Sequence, residues 1–273
     1  MKKGRLRVYL PFTLNEIKSN MAYKGSFYLF ILTGCFGAFI SYYLWMAIYG
    51  SSESGVLGGL TANEMIIYVF MTYITGNIAN VSTTGYIEND IRDGSVVMNL
   101  IKPIDYRLSL IARAMGVVVY RFFVPSLLVW IGLEIYKVMV LGMPVVSVIN
   151  VVLYLLSTLL SVLLTLLFEF CFGMTAFVTT YMFGLKMAKS ALVNFMTGQL
   201  IPISFFPEII QRVFNFLPFS SMLYTPVMIY LGKYSGTELT GAFLRQIFWI
   251  VFFYLLGSFL WKKITGRLIV LGG

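Results

Sequence analysis

Long apolar runs, separated by short polar segments, set the pattern of this chain. A helix needs ~20 apolar residues to cross ~30 Å of hydrocarbon. Six runs come near that length: about Gly25 to Tyr49, Met65 to Gly85, Ala114 to Leu133, Val145 to Tyr181, Ala191 to Phe206 and Phe243 to Trp261. The alternating pattern of membrane-spanning strands is absent, so the spans are predicted to be helices. The fourth run exceeds what a crossing requires and is expected to tilt, break near Gly173 or project into the cytoplasm. The fifth is short and passes into "IPISFFPEIIQRVFNFLPFSSMLYTPVMIYLG", which holds Pro202, Pro207, Pro218 and Pro226, half of the 8 prolines in the chain.

Between the runs the periodicity changes. Leu10, Leu14, Ile17 and Met21 recur at helical spacing opposite Asn15, Glu16, Lys18 and Ser19, predicting an amphipathic interfacial helix within residues 1–24. Such a helix either anchors on lipid alone or also touches a cytosolic partner. Between the second and third runs, residues 87–107 contain the turn signal Asp93-Gly94, then Val96, Val97, Leu100, Ile101 and Ile104 on one predicted helical face. Lys102 is placed in the last turn of that short helix, favourable to its dipole, with Pro103 near its end. Glu88, Asp90, Arg92, Asp93, Asp105 and Arg107 flank it. It is either a docking element or a surface helix seated in headgroups. Between Pro207 and Pro218, Ile209, Ile210, Val213, Phe214 and Leu217 define another apolar face. The piece after Pro218 is predicted to be interrupted by Pro226 and ended by Gly232.

Composition agrees with the pattern. With 59% hydrophobic and 11% charged residues over 273 positions, the chain is expected to be an all-α integral membrane protein forming one transmembrane domain over residues 1–273. The start "MKKGRLRVYL" resembles a signal-peptide n-region, yet the run after it is too long for an h-region, so a retained first span is expected. Most of the 20 basic residues fall before the first span, in the connections after the second and fourth, and after the last. Lys137, Arg212, Lys233 and Arg245 are assigned to the other connections. Both termini are thus expected to be cytoplasmic, and the net charge of +9 needs no nucleic-acid partner. There is no histidine, and Cys35 and Cys171 lie inside apolar runs. No catalytic constellation, disulfide framework or metal site is expected. The aromatic Phe27, Tyr28, Phe30, Phe36 and Phe39 are read as lipid-facing or packing residues.

"IRDGSVVMNLIKPIDYRLSLIAR" after the second run and "GQLIPISFFPEIIQRVFNFLPFSSMLYTPVMIYLG" after the fifth, with "YKGSFYLFIL" and "YYLWMAIYG" in the first, resemble the type-2 ATP-binding-cassette (ABC-2) exporter permeases. The likeness is to the six-span branch without a fused ATPase, and it covers nearly the whole chain. It implies that the loop between spans two and three is a coupling helix. Ile91, Arg92, Asp93, Gly94, Leu100, Ile101, Lys102 and Pro103 would be its contacts with a cytosolic ABC ATPase dimer. ATP and Mg would be bound by that partner. In agreement, the chain has no G-x-x-x-x-G-K-[ST] motif. The resemblance also implies a second copy or a sister permease, a multi-pass place in a bacterial plasma membrane, and re-entrant extracellular helices over residues 202–232. There, Pro202, Phe206, Pro207, Pro218, Phe219, Pro226 and Gly232 would form an exit gate, either a moving lid or a rigid cap.

Three polar residues in apolar surroundings are candidates for a substrate path: Arg121, Glu169 and Gln199. Pro125 removes the helical partner of the Arg121 carbonyl and is expected to kink the third span. Arg121 either snorkels to the headgroups or faces a hydrated path, and Glu169 either pairs with Lys186 or Lys189 or serves transport. The function expected is the membrane subunit of an ATP-driven exporter moving a hydrophobic or amphiphilic substrate (drug, peptide antibiotic or lipid-like). The alternative is a channel or scaffold regulated through residues 87–107.

Overall fold

The computed structural model describes residues 6–22, 24–52, 55–179 and 181–271, with side chains for all of these except 6, 24–33, 35 and 267–271. Lys2, Lys3 and Arg5 lie outside the described residues, as do the side chains of Lys24, Phe27, Tyr28, Phe30, Cys35 and Arg267. Phe36 and Phe39 are exposed on the protein surface.

α1 (Leu10–Ala22) lies along α6 (below), with Phe12, Thr13, Glu16, Ile17 and Asn20 half-buried and Asn15, Lys18 and Ser19 exposed. Thr13 Oγ1 donates to the Ala112 carbonyl at 2.8 Å. Gly116 makes this approach feasible, because an added Cβ would sit 2.5 Å from the Thr13 carbonyl oxygen. Of the predicted apolar stripe, Leu10, Leu14 and Met21 stay exposed, as suits a helix in a lipid interface, while Ile17 is half-buried. α2 (Lys24–Gly50) has 27 residues and at 1.5 Å per residue reaches about 40 Å. A small hairpin, β1 (Val56–Leu57) and β2 (Leu60–Thr61), leads into α3 (Ala62–Ala79). Thr61 and Glu64 close a reciprocal capping box at its start.

The second expected span is broken. α3 stops at Ala79, and α4 (Thr83–Arg92) restarts where the Ser82 hydroxyl accepts from the Gly85 N–H, the side-chain cap that a new helix start requires. Gly94, at φ +71°, then turns the chain into α5 (Ser95–Ile101), a conformation only glycine takes cheaply. α6 (Tyr106–Arg121) and α7 (Leu127–Met139) flank a π turn at Phe122–Ser126. There the Leu127 N–H reaches back to the Phe122 carbonyl, so a widened turn accommodates Pro125 and its missing donor. α8 (Val148–Gly173) tightens into a 3₁₀ turn, Met174–Phe177, the break at Gly173 that the excess length of the fourth run allowed.

The fifth run departs most from expectation. α9 spans Phe183–Met196, about 21 Å by rise, and ends before half of residues 191–206. "FGLKMAKS" is helix-permissive and starts the element early, while Gly198, at φ +79°, and Pro202 stop it. α10 (Glu208–Phe216), α11 (Pro218–Met222) and α12 (Tyr224–Tyr230) follow. The last two break at Leu223, not at Pro226. Pro226 occupies the first turn of α12, where a missing N–H costs nothing. Gly232, at φ +70°, ends α12 as Lys233 N–H bonds the Met228 carbonyl and Gly232 N–H that of Ile229. α13 (Gly236–Leu271) starts seven residues ahead of the expected Phe243.

Lys137 and Arg245, assigned to connections, therefore lie within the helices α7 and α13. Lys137, 2% exposed, pairs with Glu134 one turn earlier in α7 at 2.9 Å. Arg245 lies in α13 and donates to the Asn215 carbonyl at 3.2 Å. Among the described residues four stretches are long and apolar enough to cross a membrane: Ala62–Arg92, Tyr106–Met139, Val148–Phe177 and Gly236–Gly266. The main core joins α3, α8 and α12 around Tyr68, Met71, Ile74, Tyr154, Val227 and Tyr230. Gln246 of α13 is fully buried and fastens α8 and α11 to it: its Nε2 donates to the Ser157 carbonyl, Ser161 Oγ and the Ser221 carbonyl at 2.9–3.1 Å.

Candidate functional site

The break between α3 and α4 opens onto a cavity of about 460 Å³. Asn77 and Asn80 line it at the end of α3, Ser82 at the break, Arg121 on α6, Thr165, Phe168 and Glu169 on α8, and Met222 and Leu223 between α11 and α12. α9 supplies Lys186, Lys189, Ser190, Val193 and Asn194, followed by Thr197 and Gln199. Positions 186, 189, 190, 193, 194 and 197 fall on one helical face, while Leu185, Met187, Leu192 and Phe195 are exposed on the rest of α9. The polar face of α9 turns inward and the apolar face outward, an arrangement suited to a lipid surround. Arg121, Glu169 and Gln199, far apart in sequence, share this one cavity.

Each charge has a defined partner. Arg121 Nη1 donates to the main-chain carbonyls of Asn77, at 3.4 Å, and Asn80, so the guanidinium lies at the C-terminal end of α3, where a helix favours a cation. Glu169 pairs with Lys189 and also accepts from Thr84 Oγ1 at 2.6 Å. Lys186 pairs with Glu88 of α4 at 2.5 Å. Two ion pairs thus fasten α9 to α4 and α8. Asn77 donates Nδ2 to Ser126 Oγ at 3.1 Å, while its Oδ1 and Thr165 Oγ1 have no hydrogen-bond partner among the described residues.

α4 carries a second feature at its far end. The α5 helix ends at Ile101, so Lys102 lies beyond it in extended conformation, because the residue before a proline disfavours helix. Lys102 Nζ instead donates to Asn99 Oδ1 at 2.8 Å. The expected single apolar face is divided. Val96 is buried and Leu100 packs inward beneath it, whereas Val97, Met98 and Ile101 are 60–70% exposed. Arg92 and Asp93, exposed and 3.8 Å apart, border this patch at the Gly94 turn. Ile91 is half-buried against the adjoining core and Pro103 is exposed.

Asp90 holds the element together. Its carboxylate is buried and accepts from Ser95 Oγ at 3.3 Å, Asn99 Nδ2 at 3.1 Å and Tyr106 OH at 2.8 Å. The Tyr106 ring stacks on Trp261 of α13 at 5.4 Å. The sequence reading put Asp90 among the charged flanks of the short helix; the available signal for its role was Ser95 and Asn99 five and nine residues on. At the start of α6, Asp105 caps the Arg107 N–H at 2.9 Å and its own N–H donates to Tyr9 OH at 2.9 Å. Burial works against the Asp105 charge, but hydrogen bonding and attraction from Arg107 outweigh it and hold the carboxyl below the usual range.

The proline-rich stretch is divided between surface and core. In α10 the apolar Ile209, Val213 and Phe216 are exposed and only Phe214 is buried. By contrast, Pro218 and every residue from Ser220 to Tyr230 are buried. Pro202 is buried, Phe206 packs on Phe214 with ring centroids 5.4 Å apart, Pro207 precedes α10, and Phe219 meets Phe168 at 5.7 Å. Pro226 is inside this packed segment, and Met222 and Leu223 from it line the cavity.

No curated protein matches the chain. The profile of the family described as "ABC-2 family transporter protein" matches residues 35–268, which include the cavity, α5 and the proline-rich stretch, and the chain therefore belongs to this family of multi-pass membrane transporters.

Proposed function

We propose that this chain is the membrane-spanning subunit of an ATP-driven exporter for hydrophobic or amphiphilic substrates, working with a separate ABC ATPase dimer and a second copy or sister permease. The observation that carries this reading is the double duty of α4. At one end it bears, across the Gly94 turn, the exposed Val97, Met98 and Ile101 patch; along its length Glu88 and Thr84 grip the cavity wall. A force applied to α5 by a nucleotide-driven partner therefore reaches α9 through two ion pairs and a hydroxyl. In this reading α5 and both termini face the cytoplasm, α2 and the α9 region complete six crossings, and α10 lies in the outer interface.

The test is reconstitution of the purified chain with its ABC ATPase in liposomes. Val97→Asp with Ile101→Asp alters only the exposed patch and leaves Val96 and Leu100 beneath it. It is expected to abolish ATP-dependent export while the thermal unfolding of the permease stays unchanged. Unchanged ATP-driven export would refute docking at α5, and flux without ATP would support the channel.

A further inference from the structure

We propose that the cavity recognises the head of an anionic amphiphile, one phosphate or carboxylate on an apolar tail. The inference rests on the transporter reading of the same cavity and supplies its substrate class.

Charge comes first. Arg121, Lys186 and Lys189 line the cavity against one lining carboxylate, Glu169, and with Glu88 behind Lys186 the balance is still positive. The Lys189 side chain is only 13% exposed, and an opposite charge at a site withdrawn from water is worth more than in bulk. Second, the chain shows which chemistry this wall holds, because the Glu169 carboxylate is itself an anion gripped by Lys189, Thr84 and Ser82. An incoming anion between Arg121 and Lys189 competes with that carboxylate for the lysine. Third, the lining also includes the apolar Phe168, Met222 and Leu223, which suit a tail and give nothing to a free inorganic anion. Displacing Glu169 from Lys189 loosens the hold of α8 on α9, so occupancy of the cavity is felt by the helix that Lys186 ties to α4.

Binding to the full chain in phosphatidylcholine nanodiscs tests this, with empty nanodiscs as the baseline for partitioning. The probes are dodecyl phosphate, dodecyltrimethylammonium and inorganic phosphate. Dodecyl phosphate is expected to bind saturably and about tenfold more tightly than dodecyltrimethylammonium. Arg121→Gln is expected to weaken it about tenfold, and Glu169→Gln, which removes the competitor while keeping an acceptor for Thr84, to tighten it severalfold. The opposite signs separate recognition from general damage. Should Arg121→Gln not fold, the comparison of probes and Glu169→Gln decide. Equal binding of the two amphiphiles, or indifference to Glu169→Gln, overturns the proposal. Inorganic phosphate binding as tightly as dodecyl phosphate overturns the requirement for a tail. ATP-driven export of another substrate without this preference would sink the anion proposal alone; selective binding in a chain that never exports with ATP would sink the transporter reading alone.

Discussion

Asp90 shows how a charged residue can serve as a structural hub in a mostly apolar chain. Its carboxylate collects three side-chain donors from α5 and α6. Removing it leaves those donors to compete for water at a site that is nearly closed. Asp90→Ala is expected to cost about 2 kcal/mol, read as a lowered unfolding temperature in detergent, whereas Asp90→Asn keeps one acceptor and loses less. Gln246 is the counterpart within the apolar helices: Gln246→Leu is expected to cost about 1 kcal/mol, since an interhelical hydrogen bond in lipid is worth little more, and the same thermal measurement checks it. Neither role was legible beforehand. A carboxylate among charged neighbours reads as solvated although its partners Ser95, Asn99 and Tyr106 lie close in sequence, and one glutamine in an apolar run reads as incidental because Ser157 and Ser161 come from a helix distant in sequence. Arg121 and Glu169 were legible as anomalies, since a charge in an apolar run stands out; that they face each other's cavity required the fold.

Helices whose apolar face alone decides their packing were legible from periodicity, and those placed by polar contacts were not. α1 is amphipathic as its spacing predicts, yet it docks through Thr13 and Glu16 on the glycine side of α6. Gly116→Leu is expected to push it away, and a spin label at the exposed Lys18 should then become more mobile; an unchanged spectrum would mean that lipid, not α6, positions the helix. Helix ends at special residues were partly legible: Gly173, Gly94 and Gly232 each mark a boundary. Pro226 misled because a proline is neutral in a first turn and disruptive only deeper. α9 was missed because apolar run length stands in for helix length only when the whole helix faces lipid. Its inward face is polar, so the run began later than the helix did.

For the molecule as a whole, the sequence made legible the class, the order of elements and the family resemblance, because apolar runs and their punctuation carry that information locally. The connection between the docking patch and the cavity was not legible, since it depends on Glu88 meeting Lys186 across 98 positions. That contact is also the central mechanical claim: motion of α4 reaches α9 through charge pairing. It is tested most directly by measuring substrate exported per ATP hydrolysed in liposomes holding the permease with its ATPase, for Glu88→Lys, Lys186→Glu and the two together. The account predicts that each single reversal leaves hydrolysis running and lowers export severalfold, and that the double reversal restores most of it. Normal export in both single variants, or a double variant no better than either, would contradict it.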